Sequence, residues 1–278
     1  MQPLSLRTRV TFLFSFIALF LVFVPLVMLY ANGWRFSPAL GLYKTGGVYV
    51  AVPYSNVSVS INGEKVGTTG LLQRSFYIDN LAASTYVLRA TGDGYFPWER
   101  MVVVEPQLVT DTRVLLMPMD VSVFSLTATS TEASTSTTER VIAPALFSEY
   151  VALFSAPHVA SSTFPVDTDV NVSLFIQSGD LFARWTDADT PLPSVFCTRP
   201  SLCATEIPVE RSPDTVIDAA FFGGGVVYST QEHGIYFIEV DVRPTPRIVP
   251  LYEKPADFRI INGVLIVKDG SRFFQIDL

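Results

Sequence analysis

The chain has 278 residues, of which 49% are apolar, 16% charged and 13% aromatic, with a formal charge of −7. These values exclude a collagen-like or disordered chain, and the acidic balance leaves no basic footprint for a nucleic acid. The apolar excess is also confined to one segment, which excludes a polytopic transporter; the 247 residues after Ala31 are about 46% apolar, ordinary for globular sequence.

That segment comes first. From Val10 to Ala31, 19 of 22 residues are apolar, and no charge occurs between Arg9 and Arg35. As a helix it would reach roughly 33 Å, enough to cross a hydrocarbon core of about 30 Å. Pro25 is tolerable in a bilayer, where neighbouring groups re-satisfy the freed carbonyl. A cleaved signal peptide has a shorter apolar region, typically about 7–15 residues, followed by small residues. Leu29-Tyr30-Ala31 is a poor cleavage site, so an uncleaved anchor is expected. Arg7 and Arg9 place residues 1–9 in the cytoplasm by the positive-inside rule and send everything after the 10–31 span outside, with Tyr30 and Trp34 at the outer interface. The exported part then carries 17 basic and 26 acidic residues, a solvated surface rather than a sign of a cationic partner.

Residues 46–118 read as short strands. Asn56-Val57-Ser58-Val59-Ser60-Ile61 alternates with period two, and Asn62-Gly63 predicts a type I′ hairpin turning back through Gly67. Further strands are expected at 75–79, 85–91, 98–105 and 110–117, giving a small antiparallel β sandwich. Pro53, the run Asn56 to Thr69, Leu81 to Val87, and Gly92-Asp93-Gly94-Tyr95-Phe96-Pro97-Trp98 together resemble the PEGA domain over about a quarter of the chain. Only Pro53 remains of the tetrapeptide that names the family, Gly70 replaces a Pro, and Ala83-Ser84 stands where Pro-Gly is common. The resemblance implies a small extracytoplasmic β domain of the kind found in anchored cell-envelope proteins, with no catalytic residues to carry over.

Between Ser125 and Thr138 ten of fourteen residues are Ser or Thr, which predicts a polar linker over 121–144. After it, residues 145–278 are strand-rich, and three segments share the order apolar strand, polar Gly-containing turn, aromatic strand: 170–185, 226–241 and 264–278. Propeller blades have this pattern, yet about 134 residues make only about three blades, below the minimum of four. A mainly β chain is expected, its second β domain either degenerate propeller-like blades or a β sandwich.

Chemistry is sparse. Cys197 and Cys203 are expected to form a disulfide in an exported chain, with free thiols as the alternative; a zinc site would need more ligands than His158 and His233 add. Asp167-x-Asp169-x-Asn171 imitates the start of a calcium loop but has Val172 and Ser178 where Gly and Glu are required, so a solvated turn is expected. Asp187 and Asp189 suit turn chemistry better than catalysis. Gly223-Gly224-Gly225 precedes a strand and predicts a tight turn or bulge. No nucleophile elbow, phosphate loop or dinucleotide fingerprint occurs, so no catalytic residue, metal or cofactor is assigned. Tyr95, Phe96, Trp98 and Trp185 are the candidate binding aromatics, although such residues on strands more often lie in cores. The leading expectation is a non-enzymatic single-pass envelope protein, anchored in the lipid bilayer through residues 10–31 and displaying β domains to an envelope polysaccharide or protein. The alternative is a carbohydrate-active hydrolase using Asp187, Asp189 or Glu239. A third reading has an incomplete propeller pairing its sheet edges with another chain.

Overall fold

The computed structural model describes residues 6–38, 41–128, 139–155, 167–169, 171–211, 214–244 and 246–278. Helix α1 (Leu6–Ala31) contains the one stretch among them long and apolar enough to cross a membrane, Arg7–Ala31, and its apolar side chains are exposed around its whole circumference. A helix apolar on all sides and touched by the rest of the chain at its last turn alone among the described residues suits a lipid surround.

The chain leaves α1 through Asn32 and Gly33, the latter at φ +77°, a left-handed conformation that glycine adopts without strain. It enters a sandwich of eight strands: β1 (Trp34–Ser37), β2 (Gly41–Ala51), β3 (Ser58–Ile61), β4 (Glu64–Thr68), β5 (Ser75–Ala82), β6 (Ser84–Thr91), β7 (Trp98–Val104) and β8 (Val109–Arg113). One sheet runs β1-β2-β5 with β8 beside β2, and the other runs β4-β3-β6-β7. The predicted hairpin joins β3 to β4, with Asn62 at φ 47° and Gly63 at φ 84° as its turn requires. Val48, Val50 and Phe76 of the first sheet meet Val59, Leu88 and Val102 of the second. The sandwich departs from the all-antiparallel expectation at one pair: β8 returns from the second sheet and lies parallel to β2.

A short connection, residues 114–121, leads into the second body. Here the expected linker at 121–144 is corrected in part. β9 (Ser122–Thr127) pairs with the last strand of the chain, and β10 (Glu139–Val141) runs parallel to β9. Leu126 is buried and Val123 packs on the core of the third sheet, while Ser122, Ser125 and Thr127 are hydroxyl residues, so a Ser/Thr-rich composition concealed a strand. Residues 129–138 lie outside the described set. The second body therefore begins at Ser122 rather than at 145. From the last residue of the expected linker it also holds a 12-residue helix, α2 (Pro144–Ser155), which the strand-rich reading missed despite Leu146, Phe147, Tyr150 and Phe154 at helical spacing.

Three sheets follow. The first is β11 (Asp167–Asp169), β12 (Val172–Gln177), β13 (Asp180–Trp185) and, after the short hairpin β14 (Cys197–Arg199) and β15 (Leu202–Cys203), β16 (Glu206–Glu210). The second is the meander β17 (Val216–Phe222), β18 (Gly225–Thr230), β19 (Ile235–Ile238) and β20 (Ile248–Tyr252). The third comprises β21 (Asp257–Ile261), β22 (Val264–Asp269) and β23 (Arg272–Asp277), extended by β9 and β10. Each of the three recurring segments supplies the central hairpin of one sheet. The second sheet packs on the first through Leu174, Ile207, Val226 and Ile238, and on the third through Val227, Phe237, Phe258 and Leu265. The outer face of the third sheet is closed by α2, whose Phe147 and Phe154 meet Phe273 edge-on, each with centroids 5.4 Å apart. The result is an open stack of three sheets; no closed ring occurs among the described residues.

Candidate functional site

The sandwich and the sheet stack meet along a seam whose centre is ionic. Strand β7 buries Trp98, Arg100, Val102 and Val104 in strict alternation, so a cation occupies a core register. Beyond β19 the chain alternates as well: Glu239, Asp241 and Arg243 face the seam while Val240 and Val242 pack on the stack. Arg100 donates to Glu239, which also accepts the Trp98 indole N–H at 3.1 Å. Arg100 Nη1 donates to the Arg243 carbonyl at 3.1 Å, and its Nε lies 3.8 Å from Asp241 Oδ2. Arg243 grips Asp241 through Nε at 2.8 Å and Nη2 at 2.6 Å, and reaches across to the Asp111 carbonyl at 3.0 Å. Both arginines are fully buried. Burial pushes the Glu239 carboxyl above its ordinary value against the pull of Arg100, with the Asp241 charge adding to the rise.

Two clefts open along the seam, the first of them beside this network. One, of about 530 Å³, is lined by Phe96, Trp98, Arg100, Met117, Glu239 and Arg247. The other, of about 630 Å³, is lined by Tyr54, Tyr95, Met117, Phe222, Phe237 and Ile276. Three of the four aromatics singled out in the sequence thus lie on the seam. Trp98 is buried with its N–H taken up, Phe96 stacks under the Arg247 guanidinium at 4.4 Å, and Tyr95 packs on Tyr54 at 5.5 Å. Trp185 is elsewhere, edge-on to Phe196 in the core between the first and second sheets. None is an open aromatic platform.

The seam has a second clamp. Cys197 and Cys203 form a disulfide that closes the β14–β15 hairpin. The hairpin lies against β7, where Ser201 donates to Glu105 from its amide at 2.8 Å and its hydroxyl at 2.7 Å, beside Arg199 at 3.6 Å. Replacing both cysteines by serine is expected to cost about 2 kcal/mol of stability and to speed hydrogen exchange of the amides of residues 103–108, which a purely local loop would leave unchanged.

The carboxylates weighed for hydrolysis do not converge. Asp187 accepts the Asp189 amide at 2.9 Å and the Thr190 hydroxyl at 2.8 Å; these bonds hold its carboxyl below the ordinary value in an exposed turn. Glu239 is at the seam, just after β19 of the second sheet, whereas Asp187 and Asp189 follow β13 of the first. Asp167–Asp169 forms strand β11 rather than the expected turn, its side chains and Val170 being outside the described set, as is His158. Gly223 and Gly224 make the tight turn expected of them, and Gly225 opens β18 against the Phe237 ring, where a Cβ would also strike the Ile238 carbonyl.

A cluster invisible in the sequence joins Asp214, Glu232 and His233, with ligand atoms within 4.8 Å of one another. Asp214 Oδ2 accepts the backbone amides of Glu232 and His233 at 3.0 and 3.1 Å and lies 2.9 Å from His233 Nδ1. The cluster therefore fixes the β18–β19 turn. Burial alone would raise the Asp214 carboxyl, but the hydrogen bonds outweigh it and hold the group far below its usual range. A depressed folded pKa gives stability that is complete above the unfolded value of 3.8 and lost as pH falls through the folded one. Asp214→Asn should thus lower stability by about 1–3 kcal/mol near neutrality, and melting curves of variant and parent should draw together below about pH 3.8.

No protein-family model matches the chain, and no curated protein matches it.

Proposed function

We propose that the chain is a non-enzymatic, single-pass membrane protein whose PEGA-like sandwich and propeller-like stack form one extracytoplasmic binding or scaffolding body. The observation that carries this reading is α1, free of charge from Val10 to Ala31, exposed on all sides and joined without a spacer to the β body. The interdomain charges support a scaffold: Arg100 and Arg243 are ion-paired with Glu239 and Asp241, so these carboxylates are engaged in holding the seam, whereas a glycosidase needs two carboxyl groups about 5–10 Å apart across a cleft. Arg7 and Arg9 in the first turn of α1 favour the β body on the outer side. Candidate ligands are envelope polysaccharide or protein meeting the seam clefts beside Phe96 and Tyr95.

Protease treatment of intact cells tests the reading. Fragments from beyond residue 40 should be released to the medium while α1 stays with the membrane. Full protection of the β body, with digestion only after the cells are lysed, would reverse the topology and end this proposal.

A further inference from the structure

The β1–β2 hairpin is unusual for its place. Thr45–Ala51 of β2 pair with β5, but Gly41–Lys44 pair with β1 alone, so the hairpin runs about 10 Å past the edge of the sheet at 3.3 Å per residue. It leaves the sheet where α1 joins it. The Gly33 carbonyl accepts the Thr45 amide at 2.9 Å and its hydroxyl at 3.0 Å, and the Asn32 carbonyl accepts from Gln107 at 3.1 Å. β1 also lies back on the last turn of the helix: the Arg35 guanidinium stacks on the Tyr30 ring at 3.8 Å and donates to the Tyr30 carbonyl at 2.8 Å.

Alternation divides the hairpin into two faces. Trp34 and Phe36 share one with their cross-strand partners Lys44 and Leu42. Phe36 is 76% exposed and Leu42 55% exposed, a paired apolar tip in contact with no core. One step nearer the sandwich, Lys44 sits over the Trp34 ring at 5.2 Å. An apolar tip followed by an aromatic and a cation matches the order met on passing from acyl chains to headgroup phosphates.

We propose that this hairpin is a second membrane contact, with Phe36 and Leu42 inserted into the acyl–headgroup boundary of the bilayer that α1 spans and Trp34 and Lys44 at headgroup level. The proposal rests on the anchor reading of α1. Continuity with that helix favours lipid over another occupant, because the rigid joint carries the tip down beside the last turn of the span. The contact would fix the body's orientation as well as its attachment.

Site-specific fluorescence on the full chain in phosphatidylcholine–phosphatidylglycerol vesicles tests it. The two native cysteines are disulfide-bonded, so Phe36→Cys, Leu42→Cys, Phe20→Cys and Leu72→Cys each create a single thiol for an environment-sensitive dye. Phe20 lies within α1, and Leu72 is a fully exposed loop residue at the opposite end of the sandwich. Lipid carrying a spin label high on the acyl chain should reduce emission at 36 and 42 about twofold and leave 72 unchanged. Quenching at 20 without quenching at 36 and 42 would overturn the hairpin contact and leave the anchor standing. No quenching at 20, with spin labels at any depth, would overturn the anchor and the hairpin contact together. Equal quenching at 36 and 72 would mean the whole body lies on the surface, and dye self-quenching that depends on protein density without a spin-label effect would mean a second copy covers the tip; either overturns the proposal.

Discussion

Replacing Arg100 by alanine is expected to destabilise the chain by about 3–5 kcal/mol, because it strands Glu239 in the seam without its cation. Chemical denaturation of the full chain in detergent measures this. Glu239 already has a raised carboxyl pKa, so its contribution is complete below the unfolded value of 4.5 and declines as pH rises through the folded value. Loss of Arg100 raises the folded value further. The deficit of Arg100→Ala should therefore be smallest in acid and widen as pH increases past about 4.5. Arg100→Met combined with Glu239→Leu should recover most of the loss, since Asp241 keeps its grip on Arg243. Equal stability of parent and Arg100→Ala at all pH values would show that the seam is not held by this network.

Phe273→Ala is the second large effect. Phe273 of β23 is buried under Phe147 and Phe154 of α2, and truncating such a ring costs about 3–5 kcal/mol. The loss should be directed: α2 should exchange its amide hydrogens much faster while the sandwich amides hold. Freeing α2 uncovers the apolar outer face of the third sheet, including Ile266. Concentration-dependent association by light scattering should follow, and it should be absent from Asp214→Asn, whose damage is confined to a turn.

Local signals in the sequence were strong where one rule acted alone. The period-two run at 56–61 and the Asn62-Gly63 turn specify the first hairpin, and the recurring strand–turn–strand segments specify the centre of each later sheet. The failures have one cause in common, a partner distant in the chain. β9 looks like spacer because its pairing partner, β23, is about 150 residues away. α2 is short, and its apolar face has meaning only against Phe273. The seam charges lie some 140 residues apart, so nothing local tells that Glu239 is buried. A signal did exist on each side: Trp98-x-Arg100-x-Val102-x-Val104 places a cation in a buried row, and Glu239-x-Asp241-x-Arg243 places its counter-charges at the same spacing. A lone cation in a buried apolar row and a charged row of the same period mark surfaces made for one another.

The joint at Asn32 and Gly33 has a consequence for who can be recognised. With only two residues between helix and sheet, and both tied by hydrogen bonds to Gln107 and Thr45, a body anchored as proposed has no tether and no reach. It cannot sample the space above the bilayer as a domain on a flexible stalk does. Whatever it meets must come to the membrane surface, and the search is thereby reduced from a volume to a plane.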